Sequence, residues 1–352
     1  MAYSTIVKPS DYFNTKLYTG NASSNAITGV GFAPDWVWQK RRDGANGHVL
    51  FDKVRGATKI IQSESSNAEI TSNANQDTVS LDSDGFTVAT PSQTGGINAN
   101  GSSCVAWNWK ANGVGSANTD GSISSTVSAN TTSGFSIVKY TGNGGNSTVG
   151  HGLGGIVKVI FNKRLDSSAS WTCGISAMPN GWQNYLRLDT DTVFSVNNNI
   201  WQATAPTNSV FYIGHDDVNT SGAEYISYCF KEIPGYSKFS SYTGNASNDG
   251  PFIYTGFKPA FLIIKRSDTG QPWLLLDNKR GTYNVNQSKL FPNASDAENT
   301  DTSNGVDFLS NGFKLRRNNG ESNESGTYIY MAFAEEPLVS NSGTDGVPAT
   351  AR

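Results

Sequence analysis

The chain has 352 residues, with 26 Lys and Arg against 29 Asp and Glu, a net charge of −3. Charged residues are 16% of it, below the roughly 25% of an average soluble domain, so Ser, Thr, Asn and Gly must supply the polar surface. Nucleic-acid binding is excluded as a design principle, because it takes clustered Lys and Arg, and no apolar run approaches the roughly 18 residues of a membrane-spanning helix.

The chain opens on an arm, residues 1–11, which has no basic start followed by an apolar run and is therefore read as lacking a secretory signal. Then comes the tetrapeptide Tyr-Thr-Gly-Asn, which recurs at Tyr18, Tyr140 and Tyr242. After each copy, at nearly equal spans, an apolar segment ends in Lys-Arg: Lys40-Arg41, Lys163-Arg164 and Lys265-Arg266. An aromatic segment closes each unit: Cys104 to Trp109, Tyr225 to Phe230 and Tyr328 to Phe333. Landmarks at both ends define a triplication, in units far longer than the roughly 20–50 residues of a solenoid repeat. The boundaries read 12–111, 134–233 and 234–338, with a Gly/Ser/Asn/Thr-rich linker at 112–133 and a tail at 339–352. Within the linker, Gly121 to Val127 alternates and is expected to add one edge strand.

The pattern inside each unit is that of strands. Ala33 to Lys40 and Lys258 to Lys265 are short β-branched and aromatic runs, each started by a proline (Pro34, Pro259), which a first strand position tolerates. Asp84-Gly85 and Asn311-Gly312 sit between strand-like runs and supply the positive φ angles of tight hairpins. No segment keeps apolar positions at i, i+3, i+4 and i+7 over several turns; the best helix candidate is a turn or two after Asp277. The fold class is all-β: three tandem antiparallel β-sandwiches of jelly-roll or concanavalin-like type, for which about 100 residues suffice. Trp36, Trp38, Trp107 and Trp109 alternate on two strands and are expected to fill the sandwich of the first unit; the alternative is an exposed sugar-stacking platform.

Candidate site residues follow from what the outer units share. Asp52, Arg55 and Glu69 match Asp277, Arg280 and Glu298, and the second unit lacks the motif. An Asp and an Arg three apart with a later Glu suit a buried ion network pinning a loop on the sandwich, or else a polar ligand site. The oxygen-rich stretch with Asp216, Asp217, Asn219 and Glu224 offers Ca²⁺ ligands but no EF-hand pattern, so no metal or other cofactor is expected. His48, His151 and His215 show no metal-type spacing, and no Gly-x-Ser-x-Gly elbow is present. Two carboxylate pairs, Asp189 with Asp191 and Asp216 with Asp217, are the candidates for glycoside hydrolysis and read as solvated turns. Cys104, Cys173 and Cys229, an odd count, read as buried core thiols.

Several segments together resemble a family of tailed-bacteriophage virion proteins of marine type. They are the three openers, "GFAPDWVWQKRR" from Gly31, "GFKPAFLIIKR" from Gly256, "LFDKVRGA" from Leu50, "LDSDGF" from Leu81, "VGHGLG" from Val149 and "YIYMAFAE" from Tyr328. That family is described as tail fibre or structural proteins with lectin-like, concanavalin-type sandwiches, and the likeness runs from about Ser10 to Pro337. It implies a virion-surface protein made in the host cytoplasm, with other virion proteins and host polysaccharide as partners and a homotrimeric assembly. The first expectation is a receptor-binding tail appendage. The alternatives are a capsid decoration or head-fibre protein, whose N-terminal arm would order on the shell, and a polysaccharide depolymerase. The resemblance carries no named functional residue with it.

Overall fold

The computed structural model describes residues 4–72, 77–90 and 95–338. The protein is all-β, built of paired antiparallel sheets. Each repeat lays down a principal sheet in the same order. An opening strand (Phe13–Thr19, Phe135–Thr141, Ser237–Gly244) pairs with the closing strand (Ser103–Trp109, Glu224–Lys231, Gly326–Pro337). The closing strand pairs in turn with the Lys-Arg strand (Trp36–Arg41, Val157–Arg164, Phe257–Arg266), and that with a fourth strand (Val49–Asp52, Thr172–Ile175, Leu274–Asp277). A smaller sheet covers one face of each: Asn25–Thr28, Gly85–Val88 and Thr78–Asp82 in the first repeat, Ser147–Gly150 with Val210–Ile213 in the second, and Phe252–Tyr254, Gly312–Leu315 and Val306–Leu309 in the third. Both expected hairpins form, but their turns are Ser83-Asp84 and Ser310-Asn311, because Gly85 pairs with Asp82 and Gly312 with Leu309; of the Asp-Gly and Asn-Gly residues only Gly85 takes a positive φ.

The principal sheets are buried on both faces. In the third repeat Leu262 and Ile264 pack with Phe308, Phe313 and Leu315 inside the sandwich, while Phe261 and Ile263, one residue out of phase, enter a different cluster. That second cluster is common to all three repeats and holds Phe13, Trp36 and Trp109 with Phe135, Phe230, Phe261 and Phe333. Trp36 lies 4.3 Å from Tyr228 of the second repeat, and Phe13 lies 5.3 Å from Phe333 of the third. The four tryptophans expected inside the first sandwich therefore point away from it, into the shared centre. The sandwich of the first repeat is filled instead by Ile27, Val37, Val49, Phe51, Phe86 and Val88. A strand face contacting another repeat looks the same in sequence as one contacting its own second sheet, and burial on both sides explains why Phe261-Leu262-Ile263-Ile264 is apolar throughout rather than alternating.

Three further expectations are corrected. The segment 112–133 is no linker with one edge strand. It contributes Ser116–Asn118 and Ser125–Asn130, and the latter pairs with the opening strand of the second repeat, extending its sheet to six strands. Pro259 lies inside its strand, at a register shift where its missing N–H is tolerated, not at the start. The stretch after Asp277 forms turns, and the one α-helix among the described residues is a single turn, Asp216–Asn219.

The tetrapeptide ends a strand instead of starting a unit. Its tyrosine donates to a carbonyl across the sandwich: Tyr18 Oη to Ile97 O (2.8 Å), Tyr140 Oη to Val218 O (2.7 Å) and Tyr242 Oη to Ser322 O (2.6 Å). The next residue after each acceptor is a buried asparagine, Asn98, Asn219 or Asn323. Its side-chain oxygen accepts from the backbone N–H of Asn21, Asn143 or Asn245 at 2.9–3.1 Å, the last residue of the tetrapeptide. Glycine is required between them because a Cβ at Gly20, Gly142 or Gly244 would run into the carbonyl oxygen of Ala99, Thr220 or Glu324. This clasp ties each opening strand to the turn before its closing strand. Gly142→Ala is expected to destabilise the protein by about 1–3 kcal/mol, measured as a lower urea midpoint, whereas Gly145→Ala, where a Cβ meets nothing, should leave the midpoint unchanged.

Candidate functional site

The Lys-Arg pairs divide between two jobs. Strand alternation carries the inward face from Trp36 and Trp38 to Lys40, and from Phe261 and Ile263 to Lys265. All three lysines are fully buried. Lys163 Nζ donates to Ser66 O of the first repeat and Lys265 Nζ to Asp191 O of the second, both at 3.0 Å. Lys40 bonds within its own loop, to Arg41 O and Gly44 O. Burial pushes each of the three down to about 8. The arginines lie on the other strand face, Arg266 buried there, and pair with an Asp two residues on: Arg41 with Asp43, Arg164 with Asp166, Arg266 with Asp268, at 2.7–2.9 Å.

The residue before each fourth strand reaches the neighbouring repeat. Trp171 Nε1 donates to Gln62 O (2.8 Å), Trp273 Nε1 to Arg187 O (2.9 Å), and His48 Nε2 lies 3.1 Å from Phe291 O. The first repeat is thus joined to the third, the second to the first and the third to the second, a closed pseudo-threefold ring. Trp38 Nε1 donates to His48 Nδ1, which leaves Nε2 to carry the proton toward Phe291. The backbone N–H of His48, Trp171 and Trp273 is bonded by Glu64, Asp189 and Asn293 respectively. Burial raises Glu64 to about 7 and raises Asp189 in the same direction.

The six residues singled out as a network are brought together in two clusters, and both lie in this ring. Arg55 contacts Asp52 at 2.5 Å and Glu69 at 3.1 Å, and Tyr228 Oη of the second repeat donates to Asp52 at 2.7 Å. Arg280 contacts Asp277 at 2.5 Å and Glu298 at 2.9 Å, and Trp107 Nε1 of the first repeat donates to Asp277 at 2.9 Å. Arg42 of the first repeat adds a bidentate pair to Glu298, 2.9 and 2.7 Å. Both arginine side chains are at most 1% exposed, so these clusters join repeats and do not face solvent.

The four oxygen-bearing residues considered for Ca²⁺ have other partners. Asp217 pairs with Arg187 at 2.8 Å and Glu224 with Lys139 at 3.1 Å. Asn219 is the clasp asparagine of the second repeat, and Asp216 supplies its carbonyl to Tyr225 Oη. No group of three or more His, Cys, Asp or Glu placed to hold a metal occurs among the described residues. Cys104, Cys173 and Cys229 are buried and unpaired by disulfide.

With all eight tryptophans buried, the solvent-facing aromatics among the described residues are ones the sequence did not single out: Phe252, Tyr254 and Tyr283, all in the third repeat. Phe252 and Tyr254 are 44% and 59% exposed, on the outer face of a strand whose middle residue, Ile253, is buried. Tyr254 borders a cleft of about 250 Å³ lined by Glu232, Ser237, Lys238, Thr255 and Leu338. Lys238 Nζ meets Glu232 Oε1 at 2.8 Å, and Glu232 Oε2 accepts from the N–H of Phe239. An aromatic face beside a few fixed polar groups is the usual make-up of a small-ligand site. The signal available in the sequence was the alternation Phe252-Ile253-Tyr254 after Pro251, too short to call.

Fold and junctions together define an all-β protein whose sandwich sheets close into a ring around a shared core. The chain belongs to the family described as a domain of unknown function, DUF7483, which matches residues 8–337. No curated protein and no solved structure matches it.

The buried titratable groups of the ring set a pH dependence. Glu64 holds its proton more tightly folded than unfolded, so its contribution to stability is largest in acid and is lost as pH rises from about 4.5 to about 7. The lysines release theirs more easily folded than unfolded, so their opposition to folding fades as pH rises from about 8 toward 10.5. His48, which burial holds well below its usual range, opposes folding progressively below about pH 6.5 and so offsets the gain from Glu64 in acid. Urea unfolding near pH 5, 7.5 and 9.5 should show Glu64→Gln lowering stability at pH 5 relative to pH 7.5, and Lys163→Met flattening the rise between pH 7.5 and 9.5.

Proposed function

We propose that this protein is a structural component of a tailed-bacteriophage particle, a tail appendage that adheres to host surface glycan without cleaving it. The motifs shared with phage virion proteins support the setting. The observation that carries adhesion is the exposed pair Phe252 and Tyr254 on one strand face, with Tyr254 lining the polar cleft. An aromatic face stacks on the apolar side of a sugar ring while the Lys238 and Glu232 pair offers hydrogen bonds to its hydroxyls. The cleft's one carboxylate, Glu232, is engaged by Lys238, whereas glycoside hydrolysis ordinarily uses two carboxyl groups flanking the bond. A capsid-decoration role asks the N-terminal arm to order on a shell. Here Ile6 is 2% exposed within the shared core and Pro9–Asp11 forms a 3-10 turn, so that part of the arm is already used internally.

Binding to host surface polysaccharide, measured on a glycan array and by calorimetry, tests the reading. Tyr254→Ala is expected to weaken binding about tenfold or more, roughly 1.4 kcal/mol, with an unchanged melting temperature. Absence of binding by the wild-type chain, or equal binding by Tyr254→Ala, would overturn it.

A further inference from the structure

The second repeat lacks the acid–arginine cluster, and the structure shows what replaced it. Pairing registers align Asp52, Ile175 and Asp277, each opposite Trp36, Val159 or Phe261 on the Lys-Arg strand. Three residues on, Arg55 and Arg280 correspond to Met178. Glu69 and Glu298 correspond to Phe194, because all three donate a backbone N–H to the same place on the next repeat: Glu69 to Leu165 O, Phe194 to Ser267 O and Glu298 to Arg42 O. The whole charged triad is thus exchanged for Ile175, Met178 and Phe194.

The partner strand changes with it. Trp107, Tyr228 and Met331 occupy one position on the three closing strands, opposite Trp38, Phe161 and Ile263. Tyr228 faces Asp52, and Trp107 faces Asp277. Met331, which has no N–H or O–H to give, lines an enclosed apolar gap of about 10 Å³ with Ile175, Phe161 and Trp273. That is at the lower limit of the space one water needs, and the walls give a water too few polar partners.

We propose that the three junctions form an assembly code. A face built of Asp, Arg and Glu fits a closing strand that presents a buried hydrogen-bond donor, and an apolar face fits a closing strand without one. The code decides which repeat follows which around the ring. In the reverse order Asp52 would face Met331 with no donor, and the Trp107 indole would face Ile175 with no acceptor. Each such mismatch takes a partner from a buried polar group, leaving the Trp107 indole with none and Asp52 with Arg55 alone, which costs more than a well-matched apolar contact at the same place. The first repeat alone carries both polar halves, Asp52 and Trp107. Its surfaces therefore fit a second copy of the same unit, which those of the second and third repeats do not.

The test is a thermodynamic cycle on the full chain by urea unfolding. Tyr228→Met alone takes from Asp52 the donor it receives from the second repeat, and Asp52→Ile with Arg55→Met and Glu69→Phe strands the Tyr228 hydroxyl; each is expected to raise the unfolding constant about tenfold or more. All four changes together copy the junction between the second and third repeats, and should return the constant to within about threefold of wild type. A combined loss equal to the product of the separate losses would overturn the code. Should the triple change fail to fold, a single-atom variant decides. Tyr228→Phe must raise the constant while Met331→Leu leaves it within about threefold, and equal effects of the two would overturn the code as well.

Discussion

The rest of the molecule depends on the inward face of each principal sheet being apolar. A sandwich closes one face of such a sheet and leaves the other to be covered by something. Here three inward faces cover one another, and rings from all three repeats meet: Trp36 on Tyr228, Phe13 on Phe333, Trp109 on Phe261 at 5.4 Å. Aromatic pairs contribute roughly 0.5–1.5 kcal/mol beyond the area they bury, so the centre is a large share of the fold's cohesion. Isolated repeats would expose it to water as a broad apolar patch.

Burying that centre forces a second problem outward, onto the rim where the repeats meet. The Lys-Arg strands run from the apolar centre into loops of the neighbours, and their backbone and side-chain polar groups leave water on the way. Each is met by a specific partner: the lysine ammonium by a carbonyl, the indole or imidazole N–H by another, the backbone N–H of His48, Trp171 and Trp273 by Glu64, Asp189 or Asn293. Buried charges are tolerated when every donor and acceptor is met, and an apolar substitute of the same volume serves as well when both sides change together. Both solutions coexist in one chain, at positions that the near-threefold arrangement makes directly comparable.

Ring closure also accounts for where a ligand can be recognised. Once the large aromatics of the first two repeats are spent on the centre and, for Trp182 and Trp201, on the second sandwich, the exposed ones among the described residues lie in the third, Phe252 and Tyr254 on its outer sheet. The frame common to the repeats, clasp, Lys-Arg-x-Asp and closing strand, is occupied with holding the ring. The outer surface, where Phe252 and Tyr254 have no counterpart demanded by the frame, is where the repeats are free to differ.

Much of this was legible in the residues themselves. Strand class, the triplication, the two hairpins and the grouping of Asp52, Arg55 and Glu69 with Asp277, Arg280 and Glu298 all rest on local pattern: alternation, turn chemistry and recurrence. The asparagines Asn98, Asn219 and Asn323 recur as well, each three residues before a glycine, yet only their contact with the tetrapeptide shows why. What local pattern does not encode is which neighbour a buried face meets. Trp36 is apolar and inward whether its partner is its own sandwich or another repeat, and an Asp-x-x-Arg pair reads alike as a loop pin or as half of a junction. The sequence by itself determined the strands, their two faces and the three copies, because those follow from a period of two and from repetition. Only the tertiary structure decided that the copies share one core and that Asp52 answers to Tyr228, because hydrophobic burial is non-directional and a buried polar group's partner is chosen in space.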